Sequence, residues 1–368
     1  MFMKKKSVAL LTVSFVFCYS ICFAAGPEKT AALDRSIWTE KINDNQSYNK
    51  ASCYETARFA EVIAETELDN IQHIISFTGI EDINLESVKH WRLKIQQELL
   101  DNYQHAAKNG KDCETVSNWQ QLSHLLNRAT IQPGLMPWYL ASGEFYRRYL
   151  YEQVRLASLF PRITSEIDVI GSNEITGGEF SDGEFLLTFD DGPSGDDRTE
   201  NLIELLNKEN IRSFFFLLGE RVKKQGGKLT DLYQQQCVGS HGFQHKSHQK
   251  WEGWETSLNK TSLELAKHFN PPFWFRPPYG QRSVPLLKSL DQKNSKVMLW
   301  NIDSQDWNRN LSAKQVTDRV VTLMLLRRKG IILFHDIKNK ALSHSMPELI
   351  KLQKKAGFIW LDCHHFSL

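Results

Sequence analysis

Five short stretches of the chain combine residue types that can do chemistry: Asp190-Asp191-Gly192-Pro193, His241-Gly242-Phe243-Gln244-His245, Arg276-Pro277-Pro278-Tyr279-Gly280, Asp303-Ser304-Gln305-Asp306-Trp307 and His335-Asp336. His241 and His245 with one carboxylate make a two-histidine, one-carboxylate set. Three protein ligands leave zinc an open position for water, and non-haem iron uses the same triad. Iron oxygenases also need an oxoacid or similar co-substrate site, and the sequence carries no separate signal for one. Two adjacent aspartates do not easily serve one metal in the same way. The natural division is one ligand and one base beside the attacking water.

Taken singly, each stretch has a plainer reading. Asp, Gly and Pro are turn formers, so Asp190-Asp191-Gly192-Pro193 could be a turn before a helix. His241 and His245 could be surface histidines, and Arg276 an ordinary ion-pair partner. Asp303 and Asp306 could cap a loop, and His335 could be a hydrogen-bonded core histidine. Their joint placement favours the chemical reading. Each stretch follows a short apolar run: Phe185–Phe189, Val238–Ser240, Phe273–Phe275, Val297–Ile302 and Ile331–Phe334. Ser213–Leu217 and Phe358–Leu361 add two more runs. Between them lie amphipathic helices predicted over Thr199–Lys208, Ser257–His268, Val284–Leu290, Ala313–Arg328 and Pro347–Lys355. Repeated βα units imply an α/β fold with a parallel sheet covered on both faces. Seven strands suggest a distorted (β/α)7-type barrel, with an open sheet as the alternative. In such a barrel all five stretches sit at C-terminal strand ends and gather on one face, where active sites form.

The first half of the chain has a different period. Apolar residues spaced three and four apart predict helices over Glu55–Phe77, Glu86–Ala107, Glu114–Arg128 and Trp138–Leu159, separated by Gly79, Gly110 and the Gln132-Pro133-Gly134 turn. No cluster there suggests chemistry, and Trp91, Trp119 and Trp138 read as core. The expected division is a leader over residues 1–25, a helical N-terminal domain over 26–170, a glycine-rich linker over 171–183 and a catalytic domain over 184–368. The helical domain is expected to contribute no catalytic ligand. It would extend the groove or bind a cell-wall partner.

Lys4, Lys5 and Lys6, the apolar stretch Val8–Phe23 and the small residues Ala24, Ala25 and Gly26 read as a cleavable signal peptide. A retained membrane anchor is the plainer alternative, although the stretch is short for a span of roughly 20 residues. Export would leave no membrane span and place the protein in a periplasm or outside the cell. The formal charge is +2, and the three leader lysines contribute to it, so the mature chain is near neutral. That gives no electrostatic reason to expect nucleic acid as a partner. Cys53, Cys113, Cys237 and Cys363 remain after cleavage, two in each half. Pairing within each half is the simplest of three connectivities, with buried free thiols as the alternative.

The five stretches, in this order, resemble the polysaccharide deacetylase family, also called the NodB-homology domain or carbohydrate esterase family four. Thr188-Phe189-Asp190-Asp191-Gly192-Pro193 is similar to its first motif and His241-Gly-Phe-Gln-His245 to its second. Arg276-Pro-Pro-Tyr279-Gly is similar to the third, Asp303-Ser-Gln-Asp306-Trp307 to the fourth and Leu333-Phe-His335 to the fifth. The resemblance covers about residues 183–365. It implies that Asp191, His241 and His245 hold a divalent metal, usually zinc, with cobalt as a substitute. It also implies Asp190 as general base, Arg276 as its holder and the Tyr279 backbone N–H as an oxyanion donor. His335 would be the general acid, tuned by Asp306. Trp307 and Leu333, with Tyr279, would line the acetyl pocket. One departure is Gly242, where the family usually has Ser or Thr. His248 is a nearby alternative donor to His245.

The implied activity is hydrolytic removal of N-acetyl groups from N-acetylglucosamine units of a polysaccharide, releasing acetate. Peptidoglycan is the nearest such polymer for an exported bacterial protein. The alternatives are an O-acetyl polysaccharide esterase of the same fold and a non-catalytic glycan-binding relative. The last would be expected to lack the base or the acid, and both Asp190 and His335 are present. An unrelated metal-binding or scaffold protein would not carry the ordered motifs.

Overall fold

A computed structural model describes residues 30–368 apart from 127, 130, 228 and 367. The signal peptide read over residues 1–25 lies outside the described residues. Five helices build the first half: α1 (Asn45–Glu65), α2 (Ile71–Thr78), α3 (Leu85–Asn109), α4 (Trp119–Ser123) and α5 (Met136–Leu159). Two of the predicted helices differ in the structure. The helix predicted over Glu55–Phe77 is two helices, because the Asn70 side chain accepts from the His73 N–H and starts α2 afresh. α1 also begins earlier, where Asp44 and Ser47 form a reciprocal cap. The stretch predicted as a helix over Glu114–Arg128 shortens to α4, with Asn118 as its cap.

The second half holds β1 (Glu174–Ile175), β2 (Glu184–Asp190), α6 (Arg198–Lys208), β3 (Phe214–Leu217), α7 (Gly219–Gln225), α8 (Leu229–Leu232) and β4 (Cys237–Ser240). It continues with α9 (Trp254–Leu265), α10 (Val284–Asp291), β5 (Val297–Met298), β6 (Ile302–Asp303), α11 (Ala313–Arg327), β7 (Gly330–His335), α12 (Met346–Ala356) and β8 (Ile359–Trp360). All pairings are parallel, and the main ladder runs β4-β3-β2-β7-β6. β8 pairs with the start of β2, and β1, inside the glycine-rich stretch 171–183, pairs with β5.

The run expected as a strand at Phe273–Phe275 survives only as Phe275, which bridges Ser240 on one side and Val297 on the other. Pro271 and Pro272 before it and Pro277 and Pro278 after it lack the N–H that a ladder needs. The run Val297–Ile302 is broken into β5 and β6 because it changes partners: β5 faces Phe275 and β1, while β6 pairs with β7. Through that change the strands return on themselves as a distorted barrel. Central strands β2 and β7 are almost wholly buried, as both-face coverage requires.

The helical half does not stand apart. One hydrophobic core cluster runs from α1, α3 and α5 through α11 and α12 into the barrel. Polar links tie the same surfaces. The Ser52 hydroxyl donates to the Leu325 carbonyl at 2.6 Å, and the Asn102 amide donates to the Leu326 carbonyl at 3.0 Å. Arg319 on α11 pairs with Glu152 on α5 at 2.6 Å, and Arg327 pairs with Glu98 on α3 at 2.9 Å. Both expected disulfides form. Cys53–Cys113 has a Cα separation of 6.3 Å and Cys237–Cys363 one of 6.0 Å, within the usual span. Among the described residues no helix is long and apolar enough to cross a membrane.

Candidate active site

The five sequence stretches meet at the C-terminal ends of the strands, around a cavity of about 340 Å³. β2 ends in Asp190, which is 2% exposed. The fully buried Arg276 guanidinium donates from Nη1 to Asp190 Oδ1 at 2.9 Å and to the Thr188 hydroxyl at 2.7 Å. Its Nε and Nη2 donate to the Met298 and Leu299 carbonyls, so the fork is fixed on several sides. Thr188 in turn donates to the Ile332 carbonyl at 2.7 Å. This hydroxyl was not singled out in the sequence, although it stands two residues before Asp190 in the same motif.

Asp191 turns out of the strand with a left-handed backbone, φ 76°. Its Oδ1 lies 3.6 Å from His241 Nε2 and 3.6 Å from His245 Nε2. That oxygen is buried and has no hydrogen-bond partner. His241 Nδ1 lies 2.8 Å from the Arg276 carbonyl, which requires the proton on Nδ1 and turns the Nε2 lone pair toward Asp191. Burial and the neighbouring His241 push His245 down to about 4, so its imidazole is neutral near pH 7. Burial would raise Asp191, but the surrounding imidazoles, His335 first, hold it below the usual carboxylate value. A carboxylate with an orphaned oxygen and two imidazoles, with ligand atoms all within 4.8 Å of one another, fit a divalent cation.

His248 is not part of this set. Its Nδ1 is 2.8 Å from the Lys246 carbonyl and its Nε2 is 3.0 Å from the Ser257 hydroxyl, so both nitrogens are engaged. The same pair accounts for Gly242. A Cβ there would lie 2.6 Å from His248 Cε1, and the backbone has φ 78°. Ser257 on α9 accepts from the Phe243 N–H at 2.8 Å and so supplies a loop-supporting hydroxyl from elsewhere in the chain.

The second acid–base pair stands at the ends of β6 and β7. Asp306 Oδ1 is 2.7 Å from His335 Nδ1, and its Oδ2 accepts from the His335 N–H at 2.9 Å. Burial opposes a charge on His335, but the Asp306 carboxylate outweighs it and raises the imidazole to about 10. Tyr279 is held at φ 60° in the third-motif turn, with its ring 4.4 Å from that of His245. Trp307 and Leu333 line the cavity together with Asp190, Asp191, His241, His245, Tyr279 and His335. Arg276 and Asp306 support these groups from behind.

The helical half also reaches the cavity, which no spacing in the sequence had suggested. Trp91, Ile95 and Glu98 of α3 and Tyr149, Glu152 and Leu156 of α5 line it, as does Glu166 beyond α5.

The sequence profile described as polysaccharide deacetylase matches residues 177–298, and this part of the chain carries a polysaccharide deacetylase domain. The matched residues include Asp190, Asp191, His241, His245, Arg276 and Tyr279 and stop before Asp306 and His335. A peptidoglycan-N-acetylglucosamine deacetylase of Bacillus cereus is 30% identical over 149 residues, 39% of this chain and 53% of that protein. A bifunctional xylanase/xylan deacetylase of Cellvibrio japonicus is 29% identical over 154 residues, 41% of this chain and 22% of that protein. The chain thus spans about half the length of the first relative and less of the second. A crystal structure of a peptidoglycan N-acetylglucosamine deacetylase bound to 4-naphthalen-1-yl-N-oxidanyl-benzamide has a TM-score of 0.48 at 25% identity, covering 52% of this chain and 92% of that one.

Proposed function

We propose that the protein is an exported, metal-dependent hydrolase that removes N-acetyl groups from N-acetylglucosamine units of a polysaccharide, with peptidoglycan as the favoured polymer. The observation that carries this reading is the meeting of three parts in one cavity: the Asp191–His241–His245 set, the Asp190–Arg276 pair and the His335–Asp306 pair. Asp191, His241 and His245 would hold a divalent cation such as zinc or cobalt, which when bound would supply Lewis-acid activation of water and of the acetyl carbonyl.

The remaining steps belong to groups of the chain itself. Asp190, oriented by Arg276, accepts the proton of the attacking water. The Tyr279 backbone N–H donates to the oxygen that becomes negative in the tetrahedral state. Nitrogen leaves only once protonated, because an amide anion is a very poor leaving group. His335, charged through its contact with Asp306, gives up that proton. Trp307 and Leu333 form the apolar walls that receive the acetyl methyl.

The preference for peptidoglycan rests on the expected export and on the likeness to the Bacillus cereus deacetylase. The likeness to a xylan deacetylase supports O-acetyl groups of a plant polysaccharide as the second reading. Mass spectrometry after incubation with the zinc-loaded protein tests both. Peptidoglycan fragments and chitooligosaccharides should lose acetyl groups, and acetylated xylan should not. Acetyl loss from xylan alone would replace the first reading with the second. No loss from any of the three would remove both.

A further inference from the structure

Three acceptors in the cavity have no role in the steps above. Glu166, Asp303 and Gln305 line the same space as Asp191, His241 and His335. Gln305 is 2% exposed, yet its Oε1 has no hydrogen-bond partner. Asp303 accepts from the Gln305 N–H at 2.8 Å through Oδ1. Nearby Arg319 spends its donors on the Asp303 carbonyl, the Ala31 carbonyl and Glu152, and none reaches the Asp303 carboxylate. No side-chain donor among the described residues reaches the Glu166 carboxylate, whose own backbone N–H assists it.

Glu166 is not on a loose loop. Arg282, fully buried, donates to the Ser165 carbonyl at 2.7 Å and to the Gly280 carbonyl at 2.9 Å. Thr164 exchanges hydrogen bonds with the Arg282 backbone at 2.8 and 2.9 Å. A Cβ on Gly280 would come within 3.1 Å of the Glu166 nitrogen, so the segment lies directly against the third-motif turn. Burial, then the charge on Asp303, pushes Glu166 up to about 7, and burial pushes Asp303 up to about 6. Arg282 and Arg319 act on these carboxylates only at a distance, and acceptors that no side-chain donor reaches in a partly desolvated space favour an arriving charged donor.

We propose that Glu166, Asp303 and Gln305 form a subsite that takes a protonated amino group carried by the substrate chain. An ammonium brings three donors and a charge, which these acceptors match. This proposal rests on the deacetylase reading. It adds that the protein prefers a substrate that already bears a free amine near the acetylated sugar. Two sources supply that chemistry: an amino sugar already stripped of its acetyl group, or an amine on a peptide attached to the glycan.

The test compares the zinc-loaded protein with its Glu166→Gln variant on three probes. These are fully N-acetylated chitotetraose, the same tetramer with one glucosamine unit, and a disaccharide bearing a short peptide with a free amine. The wild type should prefer one amine-bearing probe over the neutral one, and which one identifies the source. In Glu166→Gln the ratio of kcat/KM values, amine-bearing over neutral, should fall roughly tenfold or more. Thermal unfolding confirms the fold, and Glu166→Ala replaces the variant if it does not fold. A ratio within twofold of wild type in a folded variant overturns the proposal. Calorimetric binding of fully de-N-acetylated chitotetraose separates the two readings, because that probe has no acetyl group to lose. If the wild type releases acetate from nothing, the deacetylase reading fails. Equal binding by wild type and variant then removes the subsite as well, whereas weaker binding by the variant keeps it.

Discussion

The helical half and the barrel half treat buried carboxylates differently. On α1 and α5 of the helical half each is satisfied. Glu55 accepts from Arg35, Trp138 and Tyr146, Glu61 accepts from Arg58 and Tyr139, and Glu152 takes both Arg319 and the Ala31 N–H. In the barrel half Asp191 keeps a buried oxygen with no partner, within reach of two imidazoles. The α1 and α5 carboxylates, placed for stability, are paired within the protein, whereas the Asp191 carboxylate, placed for chemistry, is left for a ligand to complete. The contrast separates scaffold from site although one core joins the two halves.

The largest expected effects fall on the barrel side. Chelation, or His241→Ala, should lower acetate release by orders of magnitude and strip the metal, read by elemental analysis. Added zinc or cobalt should restore the chelated wild type. Full activity in a metal-free preparation would remove the distinction drawn above. Asp190→Asn should cost about 10²–10⁴ in turnover. It should keep its metal, because Asp191, His241 and His245 remain.

On the scaffold side the effect should appear in stability. Glu152→Ala leaves Arg319 buried without its carboxylate, and breaking such a pair costs about 3–5 kcal/mol. Denaturant unfolding should report that loss while metal content stays near wild type. A chain truncated to start at Ser181 exposes the faces of α11 and α12 that α1 covers, and it should be poorly soluble. A well-folded, active truncated chain would show that the shared core is dispensable.

A smaller effect concerns pH. In the metal-free protein the His335 imidazole titrates at about 10 against an ordinary 6.5. Its stabilising contribution is therefore complete below about 6.5 and is lost as the pH rises through about 10. In Asp306→Asn the titration should move down by several units, followed by NMR of the imidazole. An unchanged titration would mean that Asp306 does not set the charge.

Much of the site was legible because its residues are unusual types at equivalent places. Two histidines four apart, paired aspartates and a lone Arg after strands are uncommon, and parallel topology brings strand ends together. The strands themselves were less regular than their apolar runs. Prolines around Phe273–Phe275 left one bridging residue, and the run after Val297 changes partners midway, which hydrophobicity does not register. The cavity wall from the helical half was not legible at all. Glu98, Glu152 and Glu166 are ordinary glutamates in sequence; the packing of α3 and α5 against α11 brings the first two to the cavity, and Arg282 holds the segment that carries the third. Ser257 was likewise hidden, since its support of the Gly242 loop depends on where α9 lies.

In the proposed mechanism Asp190 and His335 act on the two sides of one amide hydrolysis, water activation and leaving-group protonation. This division is tested most directly by His335→Ala on two substrates, an N-acetylated oligosaccharide and an activated acetyl ester whose leaving group needs no proton. The expected result is a loss of about 10²–10⁴ on the amide, a much smaller loss on the ester, and unchanged metal content. Equal losses on both substrates, with fold and metal preserved, would contradict it and leave His335 a structural residue.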